Sequence, residues 1–170
     1  MGGRLQCHGQ ECAETRCWSL TEELSAFPAY SFKTRVLDGK PYILDTVRRT
    51  WVRLTPEEWV RQHLLRALAD LGYPSGLTAV EKGFDFLGRM WRADVVVFNN
   101  RQIPVLLAEC KAQRVPITEA AFDQIARYNA VIGSRSLLVT NGNTLLVGKV
   151  NGATLEFLDH LPTFEDVSSG

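Results

Sequence analysis

The chain has no excess of either charge. Nineteen basic and nineteen acidic residues cancel over 170 positions, which excludes a generally basic nucleic-acid binder but not a local basic patch. It has no long hydrophobic run. Stretches such as Val95–Phe98 fall far short of the roughly 20 residues a membrane span needs. No basic N-terminal region followed by an apolar stretch marks a secretory signal. Lysine is scarce, with five residues against fourteen arginines, and planar Arg forks suit bidentate contact with phosphate or carboxylate. Neither H-E-x-x-H nor a Gly-rich phosphate loop occurs, so the common zinc-protease and nucleotide-cradle motifs are missing. Cysteine is limited to four residues, three of them (Cys7, Cys12, Cys17) in a polar segment beside His8. Their C-x4-C-x4-C spacing is a poor match to structural zinc pairs and lacks an evident fourth ligand. Free thiols in a reducing cytoplasmic setting are the expectation.

Apolar residues make up 45% of the chain, enough for one globular core. Residues 1–25 lack sustained apolar periodicity and read as a disordered extension, 26–162 as the folded domain, and 163–170 as a flexible tail. Tyr30–Leu37 and Lys40–Leu44 flank Asp38-Gly39, a hairpin signal. Between Lys33 and Arg66, eight basic residues outnumber four acidic ones. Thr55, Pro56 and Glu58 open a helix as N-cap, first helical residue and third-position acid. Trp59, Val60, Leu64, Leu68 and Leu71 give it an apolar face, and Gly72 and Pro74 end it. Strands are expected at Leu77–Glu81, Arg92–Phe98 and Pro104–Cys110. A second helix runs from Thr118 to Ile132 and stops at Gly133. Ser136–Thr140 reads as a buried strand, and Thr144–Val150 with Ala153–Phe157 as a hairpin about Asn151-Gly152. The order predicts an α/β domain with a mixed sheet.

Glu109-Cys110-Lys111 ends the apolar run Val105–Ala108. On a strand Glu109 and Lys111 project together, roughly 7 Å apart, and Cys110 points the other way. A turn centred between Arg101 and Gln102 brings Asp94 opposite Glu109, with Cβ atoms about 5 Å apart. Two carboxylates that close repel unless a cation or proton lies between them, so a hard metal ion is expected, and without it removing either carboxylate should relieve repulsion. The alternative is that Asp94 caps a turn. Gln124 and Tyr128 share a face of the second helix, as core and solvated residues or as site residues. Glu58 serves as a cap or turns inward to the site. A Cys110 nucleophile would need His63 or His160 beside it, which its inward-facing position disfavours.

Asp94, Glu109-Cys110-Lys111 and Gln124 with Tyr128 together resemble the PD-(D/E)xK nuclease superfamily with its Q-x3-Y helix. The blocks Leu54–His63, Ala108–Ala112, Phe122–Asn129 and Val139–Gly142 resemble, more narrowly, the type I restriction enzyme R-subunit N-terminal domain. The resemblance covers about residues 27 to 162. It implies a restriction-endonuclease-like αβββαβ core with flanking helices and a C-terminal hairpin. It also implies Mg²⁺-dependent hydrolysis of DNA phosphodiester bonds, with Mn²⁺ as a substitute. In that reading Asp94, Glu109 and the Cys110 carbonyl hold the metal, Lys111 orients water or stabilises charge, and Glu58, Gln124 and Tyr128 support the site. Glu81 is a possible further acid. The local basic excess makes Arg48, Arg49 and Arg53 candidate phosphate contacts. Expected partners are DNA and other restriction-modification or helicase subunits. The pattern departs at Ala93, where the superfamily has proline, and the chain has no room for a helicase motor. A non-catalytic module on the same fold, binding nucleic acid or protein, is the alternative.

Overall fold

The computed structural model describes residues 23–86, 88–152 and 154–169. A three-stranded antiparallel sheet comes first: β1 (Thr34–Leu37), β2 (Lys40–Asp45) and β3 (Thr50–Arg53). Helix α1 (Pro56–Asp70) follows, then a 3-10 turn at Ser75–Leu77. The main sheet has β4 (Thr78–Phe86), β5 (Arg89–Phe98), β6 (Pro104–Cys110), β7 (Ser136–Thr140), β8 (Leu145–Asn151) and β9 (Thr154–Leu158), side by side in that order. Helix α2 (Glu119–Ile132) carries the chain from β6 to β7, the one parallel pair among the described strands. A parallel pair needs such a crossover, whereas antiparallel neighbours close with turns. Helix α3 (Phe164–Ser168) ends the described chain. From α1 to β7 this is the expected helix, three strands, helix, strand order. Among the described residues no helix is long and apolar enough to cross a membrane.

The sheet is covered on both faces. Val95, Val97, Leu106 and Ala108 join α1 residues Val60, Leu64 and Leu68 in one core. Val96, Leu107, Leu137 and Val139 join Phe122 and Ile125 of α2 in a second. Strands buried on both faces read as continuous apolar runs, which explains Val95–Val97 and Val105–Ala108. The β5–β6 register is the one the sequence predicts: Val95 pairs Ala108 and Val97 pairs Leu106, with a slip only at Phe98. Thr55 caps α1 by accepting from the Glu58 N–H at 3.1 Å.

Several expectations are corrected. The third strand, β3, falls in a stretch that the sequence marks only by its charge. It pairs Trp51 with Leu44 and Arg53 with Tyr42. β4 and β5 continue past their expected ends as one long hairpin, pairing Phe84 with Trp91. The N-terminal extension does not reach residue 25. Leu24 is buried, and the Ala26 N–H donates to the Gly142 carbonyl at 2.8 Å. Gly142 adopts φ 87°, and a Cβ there would lie 2.7 Å from Leu24. Only glycine tolerates both that backbone and that approach. Cys7, Cys12 and Cys17 lie outside the described residues. The stretch 163–170, expected as a flexible tail, carries α3. Thr163 and Asp166 form a capping box, Val167 is buried, and Tyr73 donates to the Pro162 carbonyl at 2.9 Å. A hydrophobic anchor and satisfied caps hold this short segment, and periodicity over five residues is too brief to reveal it.

Candidate active site

Asp94 lies within β5, one residue before the stretch that pairs with β6, and Glu109 and Lys111 lie at the end of β6 and just beyond it. Asp94 is buried, and its Oδ2 accepts from the Cys110 N–H at 2.6 Å. That bond ties it to the backbone that carries Glu109 and Lys111. It is not a turn cap. Lys111 Nζ lies 2.8 Å from Glu109 Oε1, as expected of two residues sharing a face. Cys110 points into the α1-side core at 1% exposure.

Helix α1, the end of β2 with its following turn, and β4 supply the rest of the cluster. Arg61, buried at 4% exposure, reaches Asp94 Oδ1 at 2.7 Å, Glu57 at 3.1 Å, and Glu58 through Nη1. Arg48 on the β2–β3 turn binds Asp45 at 2.6 Å, Glu58 at 2.7 Å and Glu81 at 2.6 Å. Gln62 donates to Asp45 and Glu58 at 2.9 Å and 2.8 Å. Glu58 therefore turns inward, leaving the capping to Thr55. Helical spacing at positions 57, 58 and 61 puts these three side chains on one edge of α1. The sequence reading missed Arg61 and Glu57. The acid-x3-Arg spacing was a usable signal, but it marks any solvated ion pair equally well.

The electrostatics bear the mark of excess negative charge. Burial, then the nearby Asp94, pushes the Glu109 carboxyl above its usual range. The same two causes raise Glu57. Burial works against the Lys111 ammonium, but its hydrogen bond with Glu109 and the charges of Glu109 and Asp94 raise it. Burial likewise opposes the Arg61 charge, and Asp94 and Glu58 more than restore it. Asp45, Glu57, Glu58, Glu81, Asp94 and Glu109 face Arg48, Arg61, Lys111 and the exposed Arg92 in this network, six acids against four bases.

The other candidates fare differently. Arg48 is enclosed by three carboxylates, so its fork is spent internally and the expectation of a phosphate contact there is corrected. Arg49 and Arg53 are exposed. Gln124 and Tyr128 are half-buried on α2, and Tyr128 stacks on Trp91 of β5 at 4.1 Å between ring centroids.

His63 does not serve Cys110. Its ring lies among Phe27, Tyr30, Phe32 and Trp59, and its Nδ1 is 2.9 Å from the Trp59 carbonyl. Burial pushes the imidazole below its ordinary value, only partly offset by that carbonyl. The unfolded chain takes up the proton near the ordinary value of about 6.5, whereas the folded chain resists it. Stability is therefore full above that value and falls as pH drops through it. Thermal melts are expected to show a lower Tm at pH 5.5 than at 7.5, with a flatter profile in His63→Phe. Parallel profiles would assign the pH dependence to other groups.

The sequence model of the type I restriction enzyme R protein N terminus (HSDR_N) matches residues 56–162. The chain belongs to this family. The match takes in α1, the whole main sheet and α2, and begins after β3. A solved structure described as a fragment of an HsdR subunit of a type I restriction enzyme from Vibrio vulnificus YJ016 shares the fold, with a TM-score of 0.54 and 19% identity over 67% of this chain. This chain covers 24% of that one. No curated protein sequence matches.

The donor set can be tested against the metal the resemblance implies. Among the described residues no three His, Cys, Asp or Glu side chains converge as a ready ligand group. Mg²⁺, however, commonly takes one or two carboxylates and keeps several waters. Asp94 and Glu109 are hard oxygen donors, and burial first, then Asp94, pushes the Glu109 carboxyl up. The carboxylate chemistry suits such an ion, which would share or displace the Arg61 contact on Asp94 Oδ1, since Oδ2 is held by the Cys110 N–H.

Proposed function

We propose that this chain is a metal-dependent DNA endonuclease domain, with Asp94, Glu109 and Lys111 at its centre. The supporting observation is that Asp94, in the middle of β5, is bonded to the Cys110 N–H between Glu109 and Lys111 at the end of β6, inside a cluster rich in carboxylates. Mg²⁺, bound by Asp94, Glu109 and the Cys110 carbonyl, would act as a Lewis acid on the scissile phosphate. Lys111, held by Glu109, directs its ammonium at the attacking water or at the charge that grows on the phosphate oxygens. Arg61 orients Asp94 from behind. Glu58 supports Arg61, and Gln124 and Tyr128 of α2 take the supporting role that the family resemblance gives them. Arg49 and Arg53 contact DNA phosphates, and other restriction-modification subunits are the natural partners.

A second reading follows from one contact. The Arg61 guanidinium already neutralises Asp94, as it would in a module that binds DNA or protein without cutting. Calorimetric titration with Mg²⁺ and Mn²⁺, beside a cleavage assay on linear, circular and single-stranded DNA, separates the two. The nuclease reading expects saturable metal binding and cleavage abolished by chelator. DNA binding without metal uptake or strand scission would establish the binding module instead.

A further inference from the structure

The three-stranded sheet lies ahead of the family match, which begins at residue 56. Its inner face buries Ile43 and Asp45 and packs Val52 against the α1 core. Alternation along the strands turns Arg35, Lys40, Tyr42, Trp51 and Arg53 to the outer face. Arg35 lies opposite Tyr42, and Tyr42 opposite Arg53, in one row across the sheet. Arg35, Lys40 and Arg53 are exposed, as is Arg49 on the adjoining turn. Among the described residues none of these four side chains forms an ion pair. The acids between Lys33 and Thr55 are Asp38, on the β1–β2 turn, and Asp45, which is buried on Arg48. In a chain of zero net charge, this is a segregated positive face.

The face is also ordered for anion contact. The Arg35 guanidinium stacks 4.3 Å over the Trp51 ring. Stacking holds the plane of the fork without using its N–H donors. Arg35 and Arg53 stand two strands apart, about 10 Å, which is within the roughly 12 Å width of a DNA major groove. An acidic protein partner would want an apolar centre to exclude water; here the exposed Leu37 lies at the hairpin end opposite Lys40, and the central tryptophan is covered by Arg35.

We infer that the outer face of β1–β3 is a DNA-docking surface that grips the duplex backbone through Arg35, Lys40 and Arg53. The choice of DNA rests on the nuclease reading proposed above. Arg53 stands two residues before Thr55, so the face runs directly into the end of α1 that carries Glu57 and Glu58.

The test measures duplex affinity by fluorescence anisotropy at several salt concentrations and fixed Mg²⁺, in a Lys111→Ala background that suppresses cleavage. The comparison protein adds Arg35→Gln, Lys40→Gln and Arg53→Gln. Each lost phosphate contact should make the slope of log affinity against log salt shallower by about 0.9, or about 2.7 for the three. Circular dichroism is expected to be unchanged. Lys40→Gln alone, expected to shift the slope by about 0.9, serves if the triple variant fails to fold. An unchanged slope overturns the docking surface and leaves the nuclease reading standing if the wild-type chain still cuts. Failure of the wild-type chain either to bind or to cut DNA sinks both. A polyglutamate peptide that binds as tightly as DNA, and is lost in the triple variant, would reassign the face to an acidic protein.

Discussion

Arg61→Met is expected to destabilise the fold by about 3–5 kcal/mol, the range for stripping one partner from a buried ion pair. Arg61 is 4% exposed and bonds Glu58, itself 5% exposed, and Asp94, 9% exposed. Glu58 keeps Arg48 after the substitution. Asp94 keeps only the Cys110 N–H, which does not cancel its charge. Methionine fills the space but leaves that carboxylate uncompensated beside Glu109. Arg61→Lys should fall between the two, since it restores the charge but not the fork. Urea unfolding at neutral pH measures the loss. A change below about 1 kcal/mol would mean that Asp94 is solvated in place, and the clamp would be no part of the fold.

The same geometry changes an expectation about Asp94. Two facing carboxylates suggest that Asp94→Asn relieves repulsion and raises the metal-free Tm. The structure shows Asp94 bound by Arg61 and by a backbone N–H, so Asp94→Asn should lower the Tm in chelator. Relief of repulsion is expected only for Glu109→Gln, whose carboxyl burial and Asp94 both push up.

Lys111→Ala should reduce cleavage by at least about 10²-fold, the usual cost of removing one positioned electrostatic donor. Lys111 pairs with Glu109 at the partly exposed rim, where its side chain is 27% exposed. Its loss should therefore leave the fold intact, and circular dichroism and Tm provide that control. DNA affinity should change little, because one ammonium is a small share of the basic surface. Single-turnover cleavage at saturating Mg²⁺ isolates the chemical step from binding. Retention of more than about a tenth of the wild-type rate would remove Lys111 from the reaction.

Much of this was legible in the residues. The α1 cap, the crossover helix, the β5–β6 register and the shared face of Glu109 and Lys111 all follow from local rules. Each depends on neighbours a few positions apart, or on a turn whose centre the sequence marks. The missed elements were of another kind. β3 is four residues long and carries charge on its outer side, so its pattern is too short to stand out. α3 is held by Tyr73, far away in sequence.

The sequence by itself determined the α/β class, the order of the main elements and the convergence of Asp94, Glu109 and Lys111. Periodicity and strand alternation are properties of the chain's own geometry. Only the tertiary structure decided what surrounds them. Arg48 looked like a free phosphate contact because charge counts treat every exposed-looking arginine alike. Folding closes the β2–β3 turn onto α1 and β4, and Asp45, Glu58 and Glu81 take up that guanidinium. Arg61 looked like an ordinary helix cation, and folding buried it between two carboxylates from different elements. Which charges pair depends on distances between segments remote in sequence, and only packing sets those distances.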